Sequence, residues 1–395
     1  MKITLYLIKI HFIIIYFFIK IFTRQKKQVC LLSRQSDSPS INYKMIISEL
    51  RKNKIIYKIK CKKIEKNIND GIRSNRNQLD GQFFLIKALE NIKEIVEYYF
   101  CLWQQMVFIA QSKVIITDGY NLPVCLLHHK KGTKIIQMWH ALGAIKKFGY
   151  QSVGKTDGVS PTVAKILKMH AGYDYVISGS YEMNKYFSEA FNIEKEKVLA
   201  IATPIVDYLH KENTRVKQSI YKKYPQLQEG KINVLYSPTF RNNKNYKYEE
   251  IIKNTDFSKI NLIITNHAKV EELANDKRVI SITSNEFSTY DIIKICDYVI
   301  TDYSSLMIDA ISINKKILLY IYDYEEYDER NGINIRLLEE FPKISYKKAD
   351  EIMNIITNNK YDYQSFKKFK RLYAPSIEKS STKLNIDLIK RCLDE

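Results

Sequence analysis

Asp302-Tyr303-Ser304-Ser305 stands between an apolar run at 297–301 and a helix-like run at 306–311. A strand that hands two hydroxyls to a helix start makes an anion site, because first-turn amides are unpaired, the dipole points its positive end outward and serine adds a donor. A phosphate or diphosphate fits that chemistry. Upstream, Gln137-Met138-Trp139-His140-Ala141-Leu142-Gly143 ends an apolar stretch on a histidine, which titrates near neutrality and can take a proton from a hydroxyl. Taken alone, a structural histidine is the plainer reading of that position. Residues 234–241 close on a proline and then present Thr239 and Arg241, whose guanidinium matches phosphate oxygens in bidentate fashion. Lys244 and Lys247 nearby equally fit an ordinary basic loop. Residues 262–267 end on a second histidine, His267, which could donate to a phosphoryl oxygen or a leaving group. The acidic, aromatic segment 323–332 contains Glu329 and Arg330 and by itself reads as a solvated charged loop.

Each of these groups follows a short apolar run, so the elements that position them matter. Strand candidates at 29–33, 55–59, 113–117, 133–138, 173–178 and 197–202, then at 233–237, 261–265, 279–282, 298–301 and 317–322, alternate with amphipathic segments such as 83–105, 180–191 and 349–357. That alternation predicts parallel α/β sheets. In such sheets ligands bind beyond the carboxyl ends of the strands, where every candidate above sits. The polar stretch 208–231, with Pro225 and Gly230, divides the chain into two doubly wound halves. The expected organisation is a leader at 1–22, an N-terminal doubly wound domain at 23–207, a connection at 208–231, a C-terminal doubly wound domain at 232–375 and a C-terminal helix at 376–395.

With 395 residues and 45% hydrophobic content, two domains can each bury a core. The net charge of +20 favours anionic partners, although abundant Lys, Ile, Asn and Tyr also follow from an AT-rich coding bias. Six scattered cysteines without a C-x-x-C pair argue against a zinc site and a disulfide scaffold and fit a reducing cytosol. His128-His129 lacks companions at ligand spacing, so no metal site is expected. No P-loop and no G-x-G-x-x-G occurs. Residues 1–22 are apolar and aromatic but broken by Lys2, Lys9, His11 and Lys20, with no small-residue cleavage site after them. This pattern predicts a helix lying in the interface of an anionic membrane leaflet.

Taken in order, 137–149, Ser237-Pro238-Thr239-Phe240-Arg241, Asn266-His267 and 300–305 resemble the CDP-glycerol glycerophosphotransferase family, enzymes of teichoic acid and capsule synthesis. The resemblance covers roughly 110–335 and implies a GT-B arrangement of two Rossmann-type domains facing a cleft. It implies His140 as general base, His267 as the second histidine, and Thr239, Arg241, Ser304 and Ser305 at the diphosphate of a CDP-alditol. Asp302 would orient the loop, and Glu329 or Arg330 would reach the nucleotide or its ribose. The implied donor is CDP-glycerol, or CDP-ribitol. The implied acceptor is a polyprenyl-diphosphate-linked glycan or a growing polymer at the cytoplasmic face of the membrane, with the protein peripherally bound. Three departures stand out: Ala202-Thr203-Pro204-Ile205-Val206-Asp207 replaces a Gly-x-Pro-Arg-x-Asp turn, Ala268 replaces a proline after the histidine, and Arg330-Asn331-Gly332 replaces an Arg-Gly pair.

Three readings compete. A GT-B glycosyltransferase would share the fold and the diphosphate cradle. A nucleic-acid-binding protein would suit the charge, but the chain has no zinc finger and no RRM-like aromatic signature, and nucleic acid is not an expected partner. A membrane-attached scaffold would leave both histidines idle.

Overall fold

The computed structural model describes residues 2–63, 81–156, 158–239, 241, 246–266, 276–283 and 285–395, the side chains of 81–92 and 266 excepted. Its described strands form two six-stranded sheets, every pairing parallel. The first holds β1 (Lys26–Ser33), β2 (Ile56–Cys61), β3 (Ser112–Thr117), β4 (Lys134–Gln137), β5 (Tyr175–Ile177) and β6 (Val198–Leu199) in the order β2-β1-β3-β4-β5-β6. The second holds β7 (Ile232–Tyr236), β8 (Ile260–Asn266), β9 (Ile280–Thr283), β10 (Tyr298–Thr301), β11 (Lys316–Tyr320) and β12 (Ser345–Tyr346) in the order β12-β11-β10-β7-β8-β9. All eleven strand candidates appear near their expected positions. The two-residue β12 is additional, because so short an edge strand carries no alternation to read.

The strands are apolar on both faces because both faces are covered. In the first sheet, Val29, Leu31, Val114 and Ile116 pack beneath Ile46 and Leu50 of the helix Ile41–Lys52 and beneath Ile386 and Ile389 of the helix Ser381–Asp394. The alternate residues Cys30, Leu32 and Ile115 face Leu102, Met106 and Ile109 of the helix Gly81–Gln111, with Phe12 and Tyr16 of the helix Lys2–Phe22 in the same cluster. The C-terminal helix thus crosses from the second lobe to complete the core of the first. Asp207 fixes its start by accepting from the Ser380 hydroxyl at 2.6 Å and from the amides of Ser381 and Thr382 at 3.1 and 2.8 Å. Asn385 donates back to the Ala202 carbonyl at 2.7 Å, and Ala202 itself takes the left-handed φ of +52°.

Strand order reverses between β1 and β3 in the first sheet and between β7 and β10 in the second. Ligands bind at such reversals in open α/β sheets, where loops diverge and leave a crevice. Across that crevice the segment 144–151 meets 328–334. Lys146 and Ile333 form an antiparallel bridge, Lys147 N–H donates to the Gly332 carbonyl at 2.8 Å, and the Asn334 side chain donates to the Ala144 carbonyl at 2.9 Å. Gly332 has φ +84° and packs on the Lys147 stem, so a side chain there would be both strained and obstructed.

Candidate active site

His140 leaves β4 through a strained turn. Trp139 adopts a left-handed φ of +54°, which costs an aromatic residue about 1–2 kcal/mol. Its surroundings hold it there: the ring stacks on Phe148 at 4.6 Å and meets Phe191 edge-on at 5.3 Å, while the Trp139 backbone N–H donates to Gln137 Oε1 at 3.0 Å. The turn delivers His140 to the first sheet's reversal point, beside the ends of β1 and β3. There Nδ1 lies 3.0 Å from the Asp118 carbonyl oxygen and 3.3 Å from the Gln35 side-chain amide. A carbonyl only accepts, so Nδ1 carries the proton and donates it to Asp118, and Nε2 keeps its lone pair with no protein partner among the described residues.

The ring is open to solvent although protein surrounds it on most sides, as on the floor of a cleft. That surrounding mass lowers its pKa below the ordinary histidine value; the Asp118 carbonyl opposes the shift and the Lys146 ammonium adds to it. The imidazole is therefore neutral at neutral pH. Burial also pushes the Asp118 carboxyl up to about 6, and its Oδ1 has no hydrogen-bond partner among the described residues.

The second lobe brings two loops together at its own reversal point. Asp302, after β10, accepts from the Thr239 amide at 2.9 Å, the Thr239 hydroxyl at 2.5 Å, its neighbour Tyr303 N–H at 2.7 Å and Arg241 Nη1 at 2.6 Å. Arg241 is buried. Its Nε and Nη2 donate to Asp323 at 2.8 and 3.0 Å, and its second Nη1 proton goes to the Thr239 carbonyl at 3.1 Å. Four of its five N–H groups are thus committed to protein. The sequence reading puts this guanidinium on a diphosphate; the structure pairs it with the buried Asp302 and the half-buried Asp323, which ties the loops after β7 and β10 to the end of β11 and leaves one N–H for a ligand. Tyr303 joins the same network, donating to Asp323 at 3.0 Å and stacking on Tyr327 at 3.9 Å.

Ser304 and Ser305 are half-buried at the rim of this braced loop. Ser304 Oγ accepts from Leu306 N–H at 3.3 Å, Ser305 makes no capping bond, and the amides of both lack partners among the described residues. These amides and hydroxyls are donors left for a ligand. Glu329 is exposed on the helix Tyr324–Arg330, and Arg330 pairs with Glu326 at 3.8 Å. His267 lies outside the described residues; Asn266 before it ends β8, which neighbours β7.

The two halves meet closely. Gly143, three residues past His140, packs so tightly against Ile308, three residues past Ser305, that any Cβ would collide with it. Sequence reasoning missed Asp118, Gln35 and Asp323. All three follow strand ends, so the rule that selected His140 could have found them, but their partners lie up to 105 positions away.

Two facing nucleotide-binding-type lobes, with an imidazole on one and a donor-rich loop on the other, define a GT-B-class transferase. Residues 14–389 match the model of the CDP-Glycerol:Poly(glycerophosphate) glycerophosphotransferase family, and the chain belongs to that family. It is 26% identical over 336 residues to a teichoic acid poly(ribitol-phosphate) polymerase of Bacillus spizizenii, covering 82% of this chain and 53% of that protein. It is 30% identical over 269 residues to a teichoic acid glycerol-phosphate primase of Bacillus subtilis, covering 65% of this chain and 68% of the relative. The chain thus spans about half the length of the polymerase and two thirds of the primase. In fold it matches the wall teichoic acid polymerase TagF with a TM-score of 0.69, at 17% identity, covering 100% of this chain and 98% of the other. Among the described residues no group of three or more His, Cys, Asp or Glu could hold a metal ion.

Proposed function

We propose that this protein transfers an alditol phosphate, glycerol phosphate in the first instance, from a CDP-alditol to a hydroxyl of a polymeric or lipid-linked acceptor in teichoic acid or capsule-type synthesis. The observation that carries this reading is the seam between Gly143 and Ile308, which brings the His140 turn against the loop of Ser304 and Ser305. The acceptor oxygen attacks the alditol-bearing phosphorus while its proton passes to His140 Nε2. The bond from that phosphorus to the bridging oxygen breaks, and the electron pair leaves with CMP. Such transfers gain most from alignment and from neutralising charge on the phosphoryl oxygens. Ser304 and Ser305 supply donors to the diphosphate; Asp302, Thr239 and Arg241 hold their loop rigid. His267 and Arg330 complete the charge stabilisation in this reading, with Glu329 at the ribose.

The acceptor's lipid end gives the leader its task, at the cytoplasmic face of the membrane. The helix Lys2–Phe22 is long and apolar enough to cross a bilayer by length and composition. Contacts along its length nevertheless favour its lying flat on the lobe: His11 with Tyr99 at 2.8 Å, Tyr16 with His129 at 3.0 Å and Lys20 with the His128 carbonyl at 2.8 Å. Its outer face exposes Leu7, Ile14, Phe17 and Phe18, and Ile95, Val96, Phe100 and Trp103 of the neighbouring helix extend that face. Aromatic and basic residues together suit an anionic interface.

Ribitol is the alternative alditol, since relatives named for both occur. Incubating the protein and its membranes with CDP-glycerol and with CDP-ribitol, then measuring CMP and sizing the products, decides between them. Release of a nucleoside diphosphate from a nucleotide sugar, without CMP from either donor, would replace this reading with glycosyl transfer.

A further inference from the structure

A second cavity, of about 390 Å³, lies far from the cleft. One wall is the connection between the lobes, around Lys211, Val216 and Lys217; the other is the helix Thr289–Ile295 and the turn before β11, with Asp291, Lys294 and Lys315. That helix ends just before β10 begins, and Lys315 immediately precedes β11. The cavity therefore opens at the amino ends of the strands, whereas Ser304 follows their carboxyl ends. The strand between spans about 13 Å.

The lining carries four ammoniums and two carboxylates. Lys294 donates to the carbonyls of Tyr208 and Lys211 at 2.7 and 2.9 Å, and Lys315 to the Lys294 carbonyl at 2.8 Å. Asp291 is occupied by the Tyr208 hydroxyl at 2.6 Å. None of the four lysines forms a salt bridge among the described residues. The lining thus carries an excess of positive charge, four ammoniums against the carboxylates of Glu212 and Asp291, with no ion pair joining them among the described residues. Burial lowers the pKa of both Lys294 and Lys315; Asp291 opposes the shift at Lys294, and at Lys315 Cys296 and Asp297 oppose it while the Lys217 charge adds to it. Structural lysines tying carbonyls together would explain Lys294 and Lys315, but Lys211 and Lys217 are exposed and make no such bonds.

We propose that this cavity binds a phosphate-bearing anion at a site separate from the catalytic cleft. Its volume suits a pyrophosphate, a nucleoside monophosphate or a few units of an alditol-phosphate chain. Its two walls belong to the inter-lobe connection and to the second lobe, so an occupant fastens one to the other.

The test is calorimetric titration of inorganic pyrophosphate, CMP and a synthetic glycerol-phosphate trimer, at constant ionic strength, into the full-length protein and its Lys211→Glu/Lys217→Glu variant. At least one probe is expected to bind the wild type and to lose tenfold or more in the variant, while CDP-glycerol turnover stays unchanged. The probe that loses most identifies a free nucleotide, a free pyrophosphate or the polymer as the source. Lys217→Gln, a neutral change at an exposed helix position, is expected to weaken the same probe about threefold, the share of one of the two exposed charges. Unchanged affinity for all three probes in both variants, or binding that CDP-glycerol fully displaces, overturns the proposal.

Discussion

His140 Nδ1 and the Asp118 carbonyl oxygen lie 3.0 Å apart, and that contact settles which ring nitrogen can work. With the proton held on Nδ1, Nε2 faces the cleft as a base. A base acts only when neutral, so activity falls as pH drops through the His140 pKa, which lies below the ordinary value of 6.5. The acidic limb of kcat/KM is therefore expected below pH 6.5. His140→Gln is expected to lower turnover about 100-fold to 10,000-fold. Wild-type turnover in that variant, or a limb above pH 6.5, would remove His140 from the role.

Arg241 stands between Asp302 and Asp323, and its side chain is 5% exposed. Removing one partner from a buried ion network leaves the others uncompensated, at a cost of about 3–5 kcal/mol. Arg241→Met is expected to lose that much in denaturant unfolding. Arg241→Lys should lose nearly as much, because an ammonium cannot replace a planar fork that serves two carboxylates. If either variant unfolds like the wild type and only its donor affinity falls, Arg241 contacts the substrate after all.

Asp207 caps the helix that crosses back to the first lobe. Burial tends to raise its pKa, but the Ser380 and Thr382 contacts outweigh that and leave it below 3.8. A lowered folded-state pKa means the stabilisation is complete above about pH 3.8 and fades as pH falls through the folded value. Asp207→Ala is expected to cost about 1–2 kcal/mol at neutral pH. The gap from wild type should close in acid; a gap that stays constant down to pH 2.5 would show that the charge is irrelevant.

The strands were legible because buried parallel strands are continuous apolar runs, and Ser304 and His140 were legible because they sit at strand ends. Trp139's left-handed turn was not legible, since it depends on Phe148 and Phe191 stacking around it. Arg241 shows the limit most clearly. Its residue type and neighbours favoured a phosphate ligand, and its pairing with Asp323, 82 positions away, was not legible because only the parallel pairing of β7, β10 and β11 brings the two together. Residues 376–395 read as a helix, yet their docking on the other lobe required Asp207 and Ala202 to be in place.

Phe17 is 55% exposed and Phe100 61%, on neighbouring helices. Replacing Phe17, Phe18, Phe100 and Trp103 by serine leaves the buried Phe12, Tyr16, Leu102 and Met106 intact, so the fold should persist. Burying an aromatic side chain in lipid is worth roughly 1.5–3 kcal/mol. Co-sedimentation with anionic vesicles is expected to fall more than tenfold, and equal sedimentation would leave the membrane face elsewhere.

Gly143 is where the two halves of the site touch. A methyl group there meets the Ile308 Cδ1 methyl first and Met183 next, so Gly143→Ala must either turn the Ile308 side chain or push the Ser304 helix away from the His140 turn, and the crowding by Met183 favours the second. Displacing a reacting group by about 1 Å commonly costs about 100-fold in rate, because near-attack geometry is lost. The variant is expected to keep its unfolding profile and its His140-dependent pH limb while kcat falls 10-fold to 100-fold. Adding Ile308→Val, which removes the methyl that collides, should restore most of the loss. If Gly143→Ala turns over like the wild type, the seam does not set the distance between base and donor, and the two lobes act through some other approach.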